Sequence, residues 1–150
     1  MIHVAAFLIA FSTCSFYAFR VGGGPERAAV LAQLGALLLS LTAGFLHISG
    51  GFQTLPAELA VADLALGIAL TVLALWSNRY WPIVLAGLQL ATILAHLAKS
   101  LFAPLPPAGY AILVTIWAWP MLVVTVIGAR NHRRRMLRFG SERDWKRSWR

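Results

Sequence analysis

The fold is decided by residues 57–102, which read AELAVADLALGIALTVLALWSNRYWPIVLAGLQLATILAHLAKSLF. A single helix of this length would be about twice as long as the ~30 Å hydrocarbon core of a bilayer. The polar segment 77–80 interrupts the apolar run, and Pro82 follows at a place where the first turn of a helix tolerates proline. The stretch therefore predicts two membrane-spanning helices, at 57–76 and 81–102, joined by a tight turn.

The composition of the whole chain is that of a membrane protein. Hydrophobic residues make up 59% of the 150 residues and charged residues only 12%, about half the usual share in soluble domains. The net charge of +8 does not indicate nucleic-acid binding, because the basic residues lie beside apolar spans, where anionic lipid is the expected partner. The single cysteine, Cys14, lies inside the first apolar run and has no partner for an internal disulfide.

These features predict an all-α fold, a polytopic membrane helix bundle of five transmembrane helices. Glycines 22–24 end the first run, and Pro25 with Glu26 suits the first turn of the next helix. Pro120 is predicted to kink the last helix. The first run lacks a preceding basic segment and is expected to remain as a span rather than to be cleaved. The predicted spans are 2–19, 28–48, 57–76, 81–102 and 110–129, which form one bundle domain, 1–129, followed by a basic tail, 130–150.

The positions of the basic residues predict one orientation. If the tail is cytoplasmic, the turns that carry Arg20, Arg27 and Arg79 are cytoplasmic as well, and neither outer loop carries Lys or Arg. Lys99, near the outer end of the fourth span, is the exception. This distribution follows the positive-inside rule, so we expect the N-terminus outside and the C-terminus in the cytoplasm.

Polar and ionisable side chains recur in the predicted outer half of the bundle. In the fourth span, a polar stripe follows spacings of three, four and three residues along one helix face: Gln89, Thr92, His96 and Lys99. We expect this face to meet His47 of the second span and Asp63 of the third in an intramembrane polar cluster. Charged groups in hydrocarbon are costly and usually face the bundle interior, so this cluster is the main functional clue.

Three interpretations of the cluster remain open. In the first, it holds the helices together, with Asp63 paired to Lys99 or His96 and His47 bonded across the bundle. In the second, His47 and His96 ligate a metal or a b-type haem, as histidines on facing helices can. In the third, Asp63, His96 and Lys99 form a proton or ion path. The predicted inner half of the bundle argues against a proton path across the whole membrane. It offers few polar side chains within the spans, among them Gln33, Thr13, Thr71 and Thr125.

The tail is predicted to contact the anionic inner leaflet. Ser141 and Asp144 resemble a capping box, and a helix beginning there would place Trp145 and Trp149 on one face, as in helices that lie in the membrane interface. A solvated basic segment and a docking arm for a partner protein are the alternatives. The predicted lipid-contacting residues are Arg130, Arg133, Arg134, Arg135, Trp145 and Trp149.

Several segments resemble short, uncharacterised multi-spanning proteins of alphaproteobacteria. They are GGGPER at 22–27, RYWP at 79–82, the segment 89–99 and the Arg-rich end. The resemblance implies a bacterial inner-membrane location and implies no chemistry.

The sequence favours a non-catalytic protein, an accessory or assembly subunit of a larger inner-membrane complex. Five short helices leave little room for an independent active site, and no hydrolase or phosphate-binding motif is present. Lipid and other membrane subunits are the expected partners, and no cofactor is expected. The alternatives are a haem- or metal-binding redox protein that uses His47 and His96, and a small proton- or ion-coupled transporter or channel that uses Asp63, His96 and Lys99.

Overall fold

The computed structural model describes residues 2–46, 55–101 and 107–146. Five stretches of helix in these residues are long and apolar enough to cross a bilayer. The protein is therefore an all-α, polytopic membrane helix bundle, as the sequence predicts. The described helices are α1 (Ile2–Val21), α2 (Gly24–Leu46), α3 (Leu55–Trp76), α4 (Trp81–Leu101), α5 (Pro107–Thr115) and α6 (Ala118–Phe139).

The turn between α1 and α2 is shorter than the sequence predicts. Helix α2 begins at Gly24, one residue before the predicted first turn at Pro25 and Glu26 and four residues before the predicted start of the span at residue 28. The backbone N–H of Gly23 donates to Glu26 Oε2 at 3.0 Å, which satisfies one of the free donors at the helix start. The predicted role of Glu26 in the first turn of this helix is confirmed.

The last span is broken near Pro120, as predicted, but the break lies upstream of the proline. Helix α5 ends at Thr115 and α6 begins at Ala118, with Ile116 and Trp117 in a turn between them. Proline has no N–H to bond the carbonyl four residues earlier, and its ring crowds that carbonyl. The interruption therefore falls at Ile116, four residues before Pro120.

Helix α6 continues past the predicted end of the span at residue 129. It ends at Phe139, and Gly140 follows in a left-handed conformation with φ of 71°. The Gly140 N–H donates to the carbonyl of Met136 at 2.9 Å, which is a common helix ending. The first part of the predicted tail, 130–139, is thus helical and continuous with the last span.

Residues 140–146 do not form the predicted helix. They run back along the turn between α3 and α4, with an antiparallel bridge between Ser77 and Trp145. The Asn78 N–H donates to the Asp144 carbonyl at 3.1 Å, and the Lys146 N–H donates to the Trp76 carbonyl at 2.9 Å. Backbone pairing and the contacts of Asp144 described below replace the predicted capping box. Trp149 lies outside the described residues.

Three pairs of the described helices form the main packing interfaces of the bundle. Helix α3 packs on α2 and on α4, and α1 packs against α6. Leucines face outward along the spans, as expected where lipid rather than water surrounds the bundle. The central apolar core consists of Ala29, Leu66, Leu70, Leu73, Leu85 and Met121.

Candidate functional site

A polar network joins α3 and α4 inside the bundle. The Gln89 side-chain amide donates to both the carbonyl and Oδ1 of Asp63, each at 2.9 Å. The second carboxylate oxygen of Asp63 lies 2.8 Å from His96 Nε2. Gln89 is 2% exposed, and its bonds to the half-buried Asp63 satisfy its buried amide. The predicted meeting of Asp63, Gln89 and His96 is found in the structure.

The network extends to α5 through Tyr110. The Tyr110 hydroxyl lies 2.7 Å from His96 Nδ1, and the two rings meet edge-on with centres 5.7 Å apart. Lys99 does not pair directly with Asp63. Its ammonium lies 3.8 Å from the centre of the Tyr110 ring, a cation–π distance. We call Asp63, Gln89, His96 and Tyr110 the polar network.

Both ring nitrogens of His96 are engaged, and the directions of the bonds follow from their partners. An ionised carboxylate only accepts, so Nε2–H donates to Asp63. In the neutral imidazole, Nδ1 then accepts the Tyr110 O–H. Ligation of a metal or haem by His96 would require the loss of one of these bonds. His47, the other proposed ligand, lies outside the described residues, and among the described residues no three His, Cys, Asp or Glu side chains cluster as metal ligands.

A cavity of about 170 Å³ lies beside the network and is lined by all six helices. Its polar lining residues are Gln33 and Ser40 of α2, Asp63 of α3, and Gln89 and Thr92 of α4. Phe7 and other apolar side chains complete the lining. A space of this size holds several water molecules or one small organic molecule.

An apolar layer separates this region from the far end of the bundle. Along α4, Leu85 lies between Trp81 and Gln89, and along α2, Ala29 lies between Glu26 and Gln33. Leu85 and Ala29 are completely buried. The described part of the bundle thus has two clusters of polar groups with an apolar core between them. A separate buried hydrogen bond joins α2 to α6, from the Gln33 amide to the Thr125 hydroxyl at 3.1 Å.

The second polar cluster is an ion cluster at the end where α2, α4 and α6 meet residues 140–146. Its centre is Arg79, whose side chain is 2% exposed. Arg79 Nη2 donates to Asp144 Oδ1 at 2.8 Å, and its other terminal nitrogen contacts Glu142. The ion cluster consists of Glu26, Arg79, His132, Arg135, Glu142 and Asp144.

Backbone and aromatic donors complete the ion cluster. The completely buried Glu26 accepts the Trp81 indole N–H at 3.2 Å, and the Gly24 N–H donates to Asp144 Oδ2 at 2.9 Å. His132 Nδ1 lies 2.8 Å from Glu142 and 3.1 Å from Arg79 Nη2. Protonated His132 would donate to Glu142, whereas the neutral ring can accept from Arg79.

Sequence reasoning missed this cluster. The sequence indicates Arg79 only as a topology signal and Asp144 only as part of a capping box. The signal was present, because three of the five acidic residues lie on the side of the membrane where the arginines concentrate. Tyr110 was also missed, since nothing in the sequence shows which way the start of the last span faces.

The predicted lipid-contacting residues divide into two groups. Arg130, Arg133 and Arg134 are exposed on α6, where they are free to meet lipid. Arg135 instead pairs with Glu142. Trp145 is 46% exposed and its indole packs against Gly24, where an added Cβ would lie 3.1 Å from the ring.

Comparisons with protein-family models, curated proteins and solved structures find no match for this chain.

Proposed function

We propose that this multi-pass membrane protein binds and releases a proton at the polar network. The observation that carries the proposal is the continuous hydrogen-bonded chain through His96, at 2.7 Å from Tyr110 and 2.8 Å from Asp63. Imidazole is the side chain best suited to exchange a proton at physiological pH. One of its two nitrogens can take up the proton while the other donates to a group that stabilises the charged ring.

The steps follow from the hydrogen-bond directions. A proton that reaches the Tyr110 oxygen replaces the phenol proton, which passes to His96 Nδ1. The resulting imidazolium is paired with the Asp63 carboxylate, which Gln89 holds in place through its amide. The reverse transfer restores the neutral ring. The Lys99 ammonium lies over the Tyr110 ring and helps to hold the phenol in place through a cation–π contact.

The proposed setting is a bacterial inner membrane, with the N-terminus outside and the C-terminus in the cytoplasm. The turn that carries Arg79 and the exposed arginines of α6 lie at the same end of the bundle, in agreement with the positive-inside rule. The exposed Arg130, Arg133 and Arg134 would contact anionic lipid on the cytoplasmic side. The polar network then lies in the outer half of the membrane.

An accessory or assembly subunit of a larger membrane complex is the second candidate function. Two observations favour it. The network bonds three helices to one another, as interhelical polar groups do, and the apolar layer at Ala29 and Leu85 interrupts the polar route between the two ends of the described bundle. A non-catalytic subunit would need polar bonds between its helices and would tolerate an interrupted polar route.

Nitrogen NMR of ¹⁵N-histidine-labelled protein in lipid nanodiscs tests the proton proposal. His96 is assigned by the signal lost in His96→Gln. On stepwise acidification, we expect the His96 signal to change from the Nε2–H tautomer to the doubly protonated ring. Tyr110→Phe should increase the other neutral tautomer, because Nδ1 loses its donor.

A His96 ring that stays neutral at every pH at which the protein remains folded would contradict proton exchange. Purification in mild detergent tests the second candidate function, that of an accessory or assembly subunit. Stoichiometric membrane proteins that co-purify with the chain would support an accessory subunit, and a chain that purifies alone would contradict it.

A further inference from the structure

We infer that the cavity beside the polar network is a binding site for a small phenol-class molecule: one aromatic ring with a hydroxyl group. The inference does not depend on proton exchange. The cavity has a volume of about 170 Å³, which is close to that of a protein cavity that holds one benzene ring, about 150 Å³.

The cavity lining contains side chains of two kinds. Phe7 and Phe11 of α1 are among the apolar ones, and Phe7 is held by an edge-on contact with Trp119 at 5.5 Å between ring centres. The lining also includes Asp63, Gln89 and Thr92, which we call the polar wall. An aromatic ring in the cavity would therefore meet both apolar side chains and hydrogen-bonding groups.

The hydrogen-bonding capacity of the polar wall favours a ligand that carries an O–H group. Each Asp63 oxygen accepts one described side-chain bond, from Gln89 or from His96, and a carboxylate oxygen can accept a further bond. Both N–H groups of the Gln89 amide are already used on Asp63. The wall therefore has acceptor capacity at Asp63, which suits a donor.

Thr92 supplies a further hydrogen-bonding group to the cavity. The residue is 3% exposed, it lines the cavity, and its hydroxyl is not one of the fully enclosed polar atoms that lack a partner in the described residues. A hydroxyl that opens into a cavity can bond to a molecule held there. A phenol oxygen in the cavity would accept from Thr92 while its proton is donated to Asp63. Pure hydrocarbon could form neither bond.

The test uses the full-length protein in nanodiscs of uncharged lipid, with 4-fluorophenol as the probe and fluorobenzene as its matched apolar control. Fluorine NMR measures binding above that of empty nanodiscs. We expect saturable binding of 4-fluorophenol. Thr92→Val, which keeps the shape of the side chain, should weaken it about tenfold while leaving fluorobenzene unchanged. Ala36→Phe, which fills the cavity, should abolish saturable binding of the phenol.

Two results would overturn the inference. The first is binding of 4-fluorophenol no greater than that of empty nanodiscs, which would assign the cavity to water. The second is saturable binding that neither Thr92→Val nor Ala36→Phe reduces, which would place the phenol elsewhere. Because Thr92 is not part of the polar network, a failure here leaves the titration of His96 as a separate question.

Discussion

The Asp63 carboxylate and the His96 imidazole meet at 2.8 Å between α3 and α4, although they lie 33 residues apart in the chain. The His96 side chain is 8% exposed and that of Asp63 22%. The other oxygen of Asp63 accepts from Gln89. One carboxylate therefore accepts from two donors of α4. Its loss would leave His96 Nε2–H without its acceptor and would leave the Gln89 amide with only the backbone carbonyl of residue 63.

Replacement of Asp63 by leucine should destabilise the protein by about 1–3 kcal/mol, the usual cost of buried polar groups left unbonded. Unfolding in mixed micelles measures the effect. In a double-mutant cycle with His96→Leu, we expect a coupling energy of about 0.5–3 kcal/mol, as for residues in direct contact. Single effects that simply add would contradict a direct contact.

Replacement of Arg79 should have a larger effect than that of any exposed arginine. Arg79→Leu removes the cation that contacts Glu142 and Asp144 and lies 3.9 Å from the completely buried Glu26. Removal of one partner from a buried ion pair typically costs about 3–5 kcal/mol. Arg133→Leu, on the exposed face of α6, is the matched control and should change unfolding little. Equal losses of stability in Arg79→Leu and Arg133→Leu would show that the ion cluster does not stabilise the fold.

Helical periodicity and hydropathy predicted the spans well because both depend on local sequence. The apolar runs located α3 and α4 to within a few residues, and the spacing of Gln89 and His96 placed them on one face. The contacts of Asp144 and Tyr110 could not be predicted in the same way. Each bonds to residues of another segment, and the local pattern at Ser141 and Asp144 favoured a helix that backbone pairing with the α3–α4 turn replaces. Tertiary contacts decided both cases.

Gly128 should be intolerant of even a methyl group. An added Cβ would lie 2.8 Å from the Trp81 ring, where α6 approaches the start of α4. Gly128→Ala should therefore force the ring or the helix to move and lower the midpoint of thermal unfolding. Gly87→Ala is the control, since Gly87 is helical and has nothing within 4 Å of such an atom. There, alanine should be neutral or stabilise by up to about 1 kcal/mol. A similar loss in both variants would contradict the close approach at Gly128.

Residues 140–146 should detach when Asp144 loses its carboxylate. Asp144→Ala removes the bonds to the Gly24 N–H and to Arg79. The amides of Asn78 and Lys146, which bond across the bridge, should then exchange hydrogen faster with solvent. Hydrogen-exchange mass spectrometry measures this change. Arg143→Gln, at an exposed neighbouring position, is the control and should leave exchange unchanged, whereas equal acceleration in both would show that Asp144 does not hold the segment.

The proposed orientation can be tested at the two ends of one helix. Tyr80 and Ser100 flank the two ends of α4 and both are exposed, so a cysteine at either position is accessible from one side of the membrane only. In a Cys14→Ser background, a thiol reagent that cannot cross membranes should label Ser100→Cys in intact bacterial cells. Tyr80→Cys should be labelled only after the inner membrane is permeabilised, because the adjacent Arg79 and the arginines of α6 favour the cytoplasmic side. The opposite pattern would place the polar network in the cytoplasmic half of the membrane and would reverse the proposed direction from which a proton reaches Tyr110.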